Sequence, residues 1–389
     1  MSATPLLARG AAGRFAGLSR AGALAVVAAL VLLIGGGWAV SDGGASPAAA
    51  TRHAPGESDM ALYRAIIARM RAGDSYSHAV VVEQRARSYP LRPIVAIRPP
   101  TLATLIRWLP GEAWAGLCLQ LLAGLTLVLL TLRMERDLGS FPALVVSVFL
   151  LATGFTAPLM GEGAWLFHET WAGVLICLSL ALRTERRYVA SALIAGLAVS
   201  FRELALPFVL VMTAAAALEG RRREALAFAA AAAASLVYLA VTWWLASQLV
   251  TPSDPVSPGW VRFSGWRFVL DTNGWNALVA GGGLAGGPGL RVALAATLVP
   301  LAWLGAADWR GSGPRLPAAL IGYMAGFMVI GRPNNDYWGL LTTPLTALGL
   351  AMAPWALQAL WRSIAADVRA ASAGAQRGAI SAGPCPPDP

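Results

Sequence analysis

Two carboxylates, Glu57 and Asp59, stand two residues apart at the start of a helical pattern. A carboxylate so placed can take the proton of an incoming hydroxyl. Arg202 and Glu203 interrupt the otherwise apolar run 188–218. Charge at membrane depth is costly and marks a functional site by default, although a self-paired hairpin tip is the plainer alternative. Glu162, His168 and Glu169 lie close together in the chain. They can bind a cation or orient an acceptor, or simply complement the positive end of a helix. Arg332, Asn335, Asp336, Tyr337 and Trp338 form a polar aromatic turn suited to sugar hydroxyls and sugar faces, and equally to an ordinary interfacial turn. Arg98, beside Pro99-Pro100, joins Arg202 and Arg332 as a guanidinium whose planar fork matches phosphate. Three His and three Cys without zinc spacing specify no metal, and the scattered oxygen and nitrogen ligands leave a divalent cation open. The chain has no Lys, so Schiff-base and P-loop lysine chemistry are excluded. Its Gly-rich stretch at 281–287 lacks the following Gly-Lys-Ser/Thr.

The elements that must position these groups follow from composition. Of 389 residues, 57% are hydrophobic and 13% charged, and the mean hydropathy is +0.60. Soluble domains carry roughly 25% charged residues, so a water-covered surface of this size is excluded. An all-α, polytopic membrane bundle remains. A span needs ~20 residues. Ten are expected, at 22–40, 113–132, 141–159, 164–182, 188–201, 204–218, 225–247, 290–307, 316–331 and 337–357.

Arginine placement sets the orientation. With the N-terminus in the cytoplasm, 16 Arg fall inside and 5 in short outer loops; nine more lie in one long loop, 41–112, which the rule does not count. The net charge of +10 is thus mainly a topology signal, and nucleic acid is not an expected partner. Both termini are expected in the cytoplasm. The first span reads as an uncleaved anchor, because the small residues Ala48-Ala49-Ala50 stand too far beyond its apolar stretch for a signal cleavage site. Reading 188–218 as two short helices keeps Arg183-Arg186-Arg187 and Arg221-Arg222-Arg223 on one side, with Arg202 and Glu203 below the opposite surface. Residues 1–362 form the membrane domain, and the Ala/Ser/Gly/Pro-rich stretch 363–389 reads as a disordered cytoplasmic tail.

In the first outer loop, Met60, Tyr63, Ile66, Ile67 and Met70 form one apolar stripe at helical spacing. A second short helix follows Pro99-Pro100, with Leu102, Leu105, Ile106 and Leu109 on one face. Both are expected to be amphipathic helices lying in the membrane interface, with packing against the bundle as the plainer alternative that also accounts for their stripes.

In chain order stand a first span, an outer carboxylate, a helix containing Asp59-x-x-x-Tyr63, then Ala72-Gly73-Asp74-Ser75-Tyr76, Tyr89-Pro90 and Arg98-Pro99-Pro100 leading into the second span. This order resembles the GT-C superfamily of membrane glycosyltransferases, particularly bacterial mannosyltransferase-like members that use polyprenyl-phosphate sugars. The resemblance implies a multi-pass enzyme of the bacterial inner membrane that builds cell-envelope glycans. It would move a sugar from a polyprenyl-phosphate donor to a lipid, glycan or protein acceptor at the outer face. The catalytic base would be Asp59 or Glu57, and Arg98, Arg202, Glu203, His168, Glu169, Arg332 and Asn335 are the candidate substrate-binding residues. The competing reading is a transporter or flippase of lipid-linked glycans, or a polytopic protein without catalytic activity. The large first loop and the lack of an internal repeat weigh against transport.

Overall fold

The computed structural model describes residues 13–41 and 59–381, with the backbone alone for 281–288 and 367–381. Glu57 lies outside the described residues. Among these residues the chain is all-helical: there is no strand, and only two isolated bridges, Arg92 with Val256 and Val261 with Ile330. In hydrocarbon a backbone must satisfy its own polar groups, and apolar runs of this length do so as helices. Six helices are long and apolar enough to cross a membrane: Arg20–Ser41, Glu112–Leu138, Phe141–Met160, Arg222–Ser247, Gly289–Asp308 and Pro333–Ala366. Four shorter apolar helices accompany them: His168–Leu182, Tyr188–Phe201, Glu203–Leu218 and Arg315–Val329.

In chain order the helices are α1 (Arg20–Ser41), α2 (Asp59–Arg71), α3 (Tyr76–Ala86), α4 (Thr101–Trp108), α5 (Glu112–Leu138), α6 (Phe141–Ala152), α7 (Thr156–Met160), α8 (His168–Leu182), α9 (Tyr188–Phe201), α10 (Leu206–Leu218), α11 (Arg222–Ser247), α12 (Gly265–Thr272), α13 (Ala277–Asp308), α14 (Arg315–Val329) and α15 (Gly339–Ser381). Helix α8 is buried along nearly its whole length and forms the centre. Small residues let backbones close on one another. A side chain at Gly305 of α13 would strike the carbonyl of Gly349 on α15, and one at Gly349 would strike that of Ala302.

Helices α9 and α10 form a hairpin. Helix α9 stops at Phe201, Arg202 is extended (φ −151°, ψ 117°), and a short turn leads to α10, which begins with Pro207 in its first turn. Proline suits that position because its missing N–H has no helical partner there. The far ends of the hairpin meet: Arg183 Nε lies 2.9 Å from Glu224 Oε1, and Arg183 Nη2 lies 3.7 Å from Glu219 Oε2. Residues 183–187 and 219–224 therefore share one end of the bundle, and Arg202 and Glu203 occupy the other.

The first end is a clasp. Arg315, 1% exposed, reaches Glu219 at 2.7 Å and Glu224 at 3.1 Å. Arg221 pairs with Glu185 at 2.7 Å. The Trp309 indole donates to Asp137 at 2.6 Å, and Asp308 accepts from the Phe15 amide at 2.7 Å. The opposite end carries a cap of α2, α3 and α4.

Two expectations need correction. The apolar stripe of α2 is not turned to lipid: Leu62, Ile66, Ile67 and Met70 are buried within the protein, with Met60 and Tyr63 packed beside them. Helix α4 likewise buries Leu102, Ala103 and Ile106 and leaves Trp108, 76% exposed, at its end. An apolar stripe fixes only that a face is buried, and here neighbouring helices cover it first. The second correction concerns the tail. Helix α15 continues to Ser381, so 363–381 is helical rather than disordered. Its Ala content gives it the helix propensity that the low-complexity reading overlooked. Residues 382–389 lie outside the described residues.

Candidate functional site

Under the cap, four stretches of chain far apart in sequence bring their polar side chains together. Asp59 opens α2, where a carboxylate complements the helix N-terminus. The Tyr89 hydroxyl donates to Asp59 Oδ1 at 2.9 Å from the chain that follows α3. Burial first, and then the Asp59 charge, push the Tyr63 and Tyr89 phenols above their usual range, so both stay protonated donors.

Arg98 stands just before α4, and its own carbonyl is held by the Tyr76 hydroxyl at 2.7 Å. Arg98 Nη2 donates to the Tyr337 hydroxyl at 2.8 Å, and Nη1 lies 4.0 Å from Glu203 Oε1. Burial works against its charge, but Tyr337, Tyr63 and Glu169 outweigh that, and its pKa is raised. Arg98 is a firmly charged group at the floor of the cap.

Arg202 is fully buried between two carboxylates. Its Nε donates to Glu169 Oε1 at 2.6 Å, its Nη1 bonds Glu203 Oε1, and its guanidinium stacks 5.7 Å from the Trp338 ring. His168 is buried edge-on against Tyr63, with ring centroids 5.1 Å apart. The sequence cluster around His168 divides: His168 and Glu169 face this site, and Glu162 is exposed on a separate groove of about 330 Å³ lined by Gln120, Met160 and Trp165.

Arg332 projects from the last turn over the Trp260 ring at 5.6 Å, with Nη2 3.4 Å from Ser257 Oγ. Asn335 is buried, and its side chain accepts from the Arg332 amide at 3.1 Å, so it holds the turn. Trp260 lies under Arg332, and Trp266 packs against Trp303 with ring centroids 5.5 Å apart.

The site residues Asp59, Arg98, His168, Glu169, Arg202, Glu203 and Arg332 thus belong to one neighbourhood. Sequence reasoning did not assign Tyr89, Ser257 or Trp260 to it. Tyr337-Trp338 were visible as aromatics in a polar turn, but Ser257 and Trp260 carry no local signal. A narrow cavity of about 20 Å³ lies beneath α2, α3 and α4, lined mainly by apolar side chains together with Tyr63, Tyr76, Gln84, Arg98 and His168. That is room for about one water. Among the described residues no group of three or more His, Cys, Asp or Glu is placed to hold a metal ion.

No protein-family model, no curated protein and no solved structure matches this chain.

Proposed function

We propose that the chain is a membrane glycosyltransferase that moves a sugar from a polyprenyl-phosphate donor to an acceptor hydroxyl at the outer face of a bacterial inner membrane. In this reading the chain crosses ten times, the clasp end is cytoplasmic and the capped end is outer. The observation that carries it is the pairing of a half-buried, hydrogen-bonded carboxylate, Asp59, with guanidinium groups converging under the same cap.

The reaction needs a base and a counter-charge. Asp59 takes the proton of the acceptor hydroxyl as its oxygen attacks the anomeric carbon. The bond from that carbon to the phosphate oxygen breaks, and the electron pair leaves with the polyprenyl phosphate. Arg332 and Arg98 stabilise that charge, because their guanidinium donors match phosphate oxygens. Arg202 is a positioning residue: Glu169 and Glu203 already occupy it.

Transfer in proteoliposomes tests the proposal. Radiolabelled polyprenyl-phosphate hexose should yield labelled acceptor with the wild-type protein and none with Asp59→Asn. Equal turnover by both proteins removes the assignment, and label crossing the bilayer without transfer would make the protein a transporter.

A further inference from the structure

The clasp end of the bundle holds a pocket of about 170 Å³, far larger than the space under the cap. That is room for several waters. The end of α5, the start of α6, the end of α13 and residues 352–362 of α15 surround it, together with Gly13 and Ala16. The N-terminal stretch that supplies Gly13 and Ala16 is tied down. Arg14 donates to the Ala307 carbonyl at 2.7 Å, the Phe15 amide donates to Asp308 at 2.7 Å, and the Phe15 carbonyl accepts from Ser363 at 3.0 Å. Gly13 lies so near the Asp308 carboxylate that a Cβ there would strike it.

Four ionised groups line the pocket: Arg310, Arg362, Asp137 and Asp308. Asp308 is 5% exposed and already accepts the Phe15 amide. Asp137 is half-buried; one oxygen takes the Trp309 indole, and the carboxylate has no ion pair among the described residues. Arg310 is exposed and likewise has none. Leu138, Ala143 and Met352 add apolar surface. Two aromatic rings fix the level of the pocket against the bilayer. Trp361, beside Arg362, is 70% exposed, and an indole near the end of a span belongs among lipid heads. Phe141, 78% exposed at the start of α6, turns an apolar ring outward at the same end.

A pocket between spans, at the level of the lipid heads and with a basic side, suits a phospholipid. The guanidinium groups match a phosphodiester, whose oxygens accept from the planar fork. Asp137 narrows the choice of head. A head with phosphate as its sole charge would set a second anion beside that carboxylate. A choline has no N–H to give it, whereas the primary ammonium of ethanolamine donates to it directly. We propose that this pocket binds one phospholipid of the phosphatidylethanolamine type, its phosphate held by Arg310 and Arg362 and its ammonium by Asp137. The site lies at the end of the bundle opposite Asp59 and owes nothing to the transfer reaction.

Native mass spectrometry of the full chain, released from detergent with equal amounts of phosphatidylethanolamine, phosphatidylglycerol and phosphatidylcholine of the same acyl chains, tests the site. The ethanolamine lipid should be retained at least about fivefold over each of the others, the size expected of one charge-assisted hydrogen bond. Asp137→Asn keeps an acceptor for the Trp309 indole and removes the charge, so it should bring the three lipids to near-equal retention with thermal unfolding unchanged. A merely structural role for Asp137 would not erase the preference. Arg310→Gln should lower retention of all three by about fivefold, since each carries the phosphate. Equal retention by the wild type overturns the proposal, and so does a preference that survives Asp137→Asn. If Asp137→Asn does not accumulate folded, the exposed Arg310 decides: retention unchanged in Arg310→Gln overturns the proposal. Displacement of the lipid by an equal concentration of soluble glycerophosphoethanolamine would overturn the lipid as occupant, because the head alone would then suffice.

Discussion

A carboxylate that acts as a base loses its function as an amide, although Asn keeps the shape and most hydrogen bonds. Asp59→Asn should lower transfer by ~10²–10⁴-fold, roughly 3–5 kcal/mol of barrier, with membrane abundance unchanged because Asn also suits a helix start. Labelled-product formation alongside immunoblotting checks both halves. The arginines should separate in kind. Arg332, which meets one hydroxyl at 3.4 Å and an aromatic face, is available to a ligand. Arg332→Lys should therefore lower transfer while the protein stays folded, since a point charge lacks the bidentate fork. Arg202→Ala should instead strip two carboxylates of their cation, destabilising the fold by about 3–5 kcal/mol, the usual cost of breaking a buried pair. Thermal unfolding in detergent reads that loss, and an active, fully stable Arg202→Ala would contradict the assignment.

At the scale of the element, the cap is held down by charge as well as by its apolar faces. Arg85 of α3 meets the buried Asp254 with contacts of 2.6 and 2.8 Å, and the Thr251 amide adds a third bond to that carboxylate at 2.7 Å. Foremost the Arg85 hydrogen bond, with those from Thr251, holds Asp254 well below the usual carboxylate range. A carboxylate lowered by folding stabilises the fold above its unfolded value of about 3.9 and loses that contribution as pH falls through its lower folded value. Amide exchange of α3 should thus gain nothing from this pair's titration between about pH 8 and 5, and should quicken only under stronger acid. Asp254→Asn should quicken it at neutral pH, by about 1 kcal/mol of local stability, a charged hydrogen bond discounted because Arg85 is partly exposed. Exchange in the variant that matches wild type at neutral pH would mean the Arg85–Asp254 pair does not hold α3.

For the whole molecule, the clasp at the opposite end ties the α8–α9 and α10–α11 connections to the start of α14. Arg315→Met would leave Glu219 and Glu224 without their most buried partner, and folded protein should fall accordingly, by about 3–5 kcal/mol of stability. The same clasp makes the topology testable. Reporter fusions at Gly139, Glu185, Arg222 and Ser312 should read cytoplasmic, and those at Ser75 and Asn334 outer. Opposite signals from Glu185 and Arg222 would contradict the hairpin, because Arg221 and Glu185 are in contact.

The sequence alone determined that this chain is helical and carries helices long and apolar enough to cross a membrane, because apolar runs and sparse charge report directly on solvent. It also located the break at Arg202-Glu203, since a charged pair inside an apolar run cannot be placed at random. It singled out Asp59, Arg98, His168, Glu169, Arg202, Glu203 and Arg332 one at a time, by residue type. It could not say which of these charges would neutralise which. Arg202 lies 33 positions from Glu169 in the chain, and only packing of α8 against the α9–α10 hairpin seats one on the other. That packing turned Arg202 from a free cation into a wall and left Arg332 open. Nor could periodicity tell whether the stripe of α2 meets lipid or protein. A buried face looks the same in sequence whatever covers it, and only the placement of α3 and α4 decides.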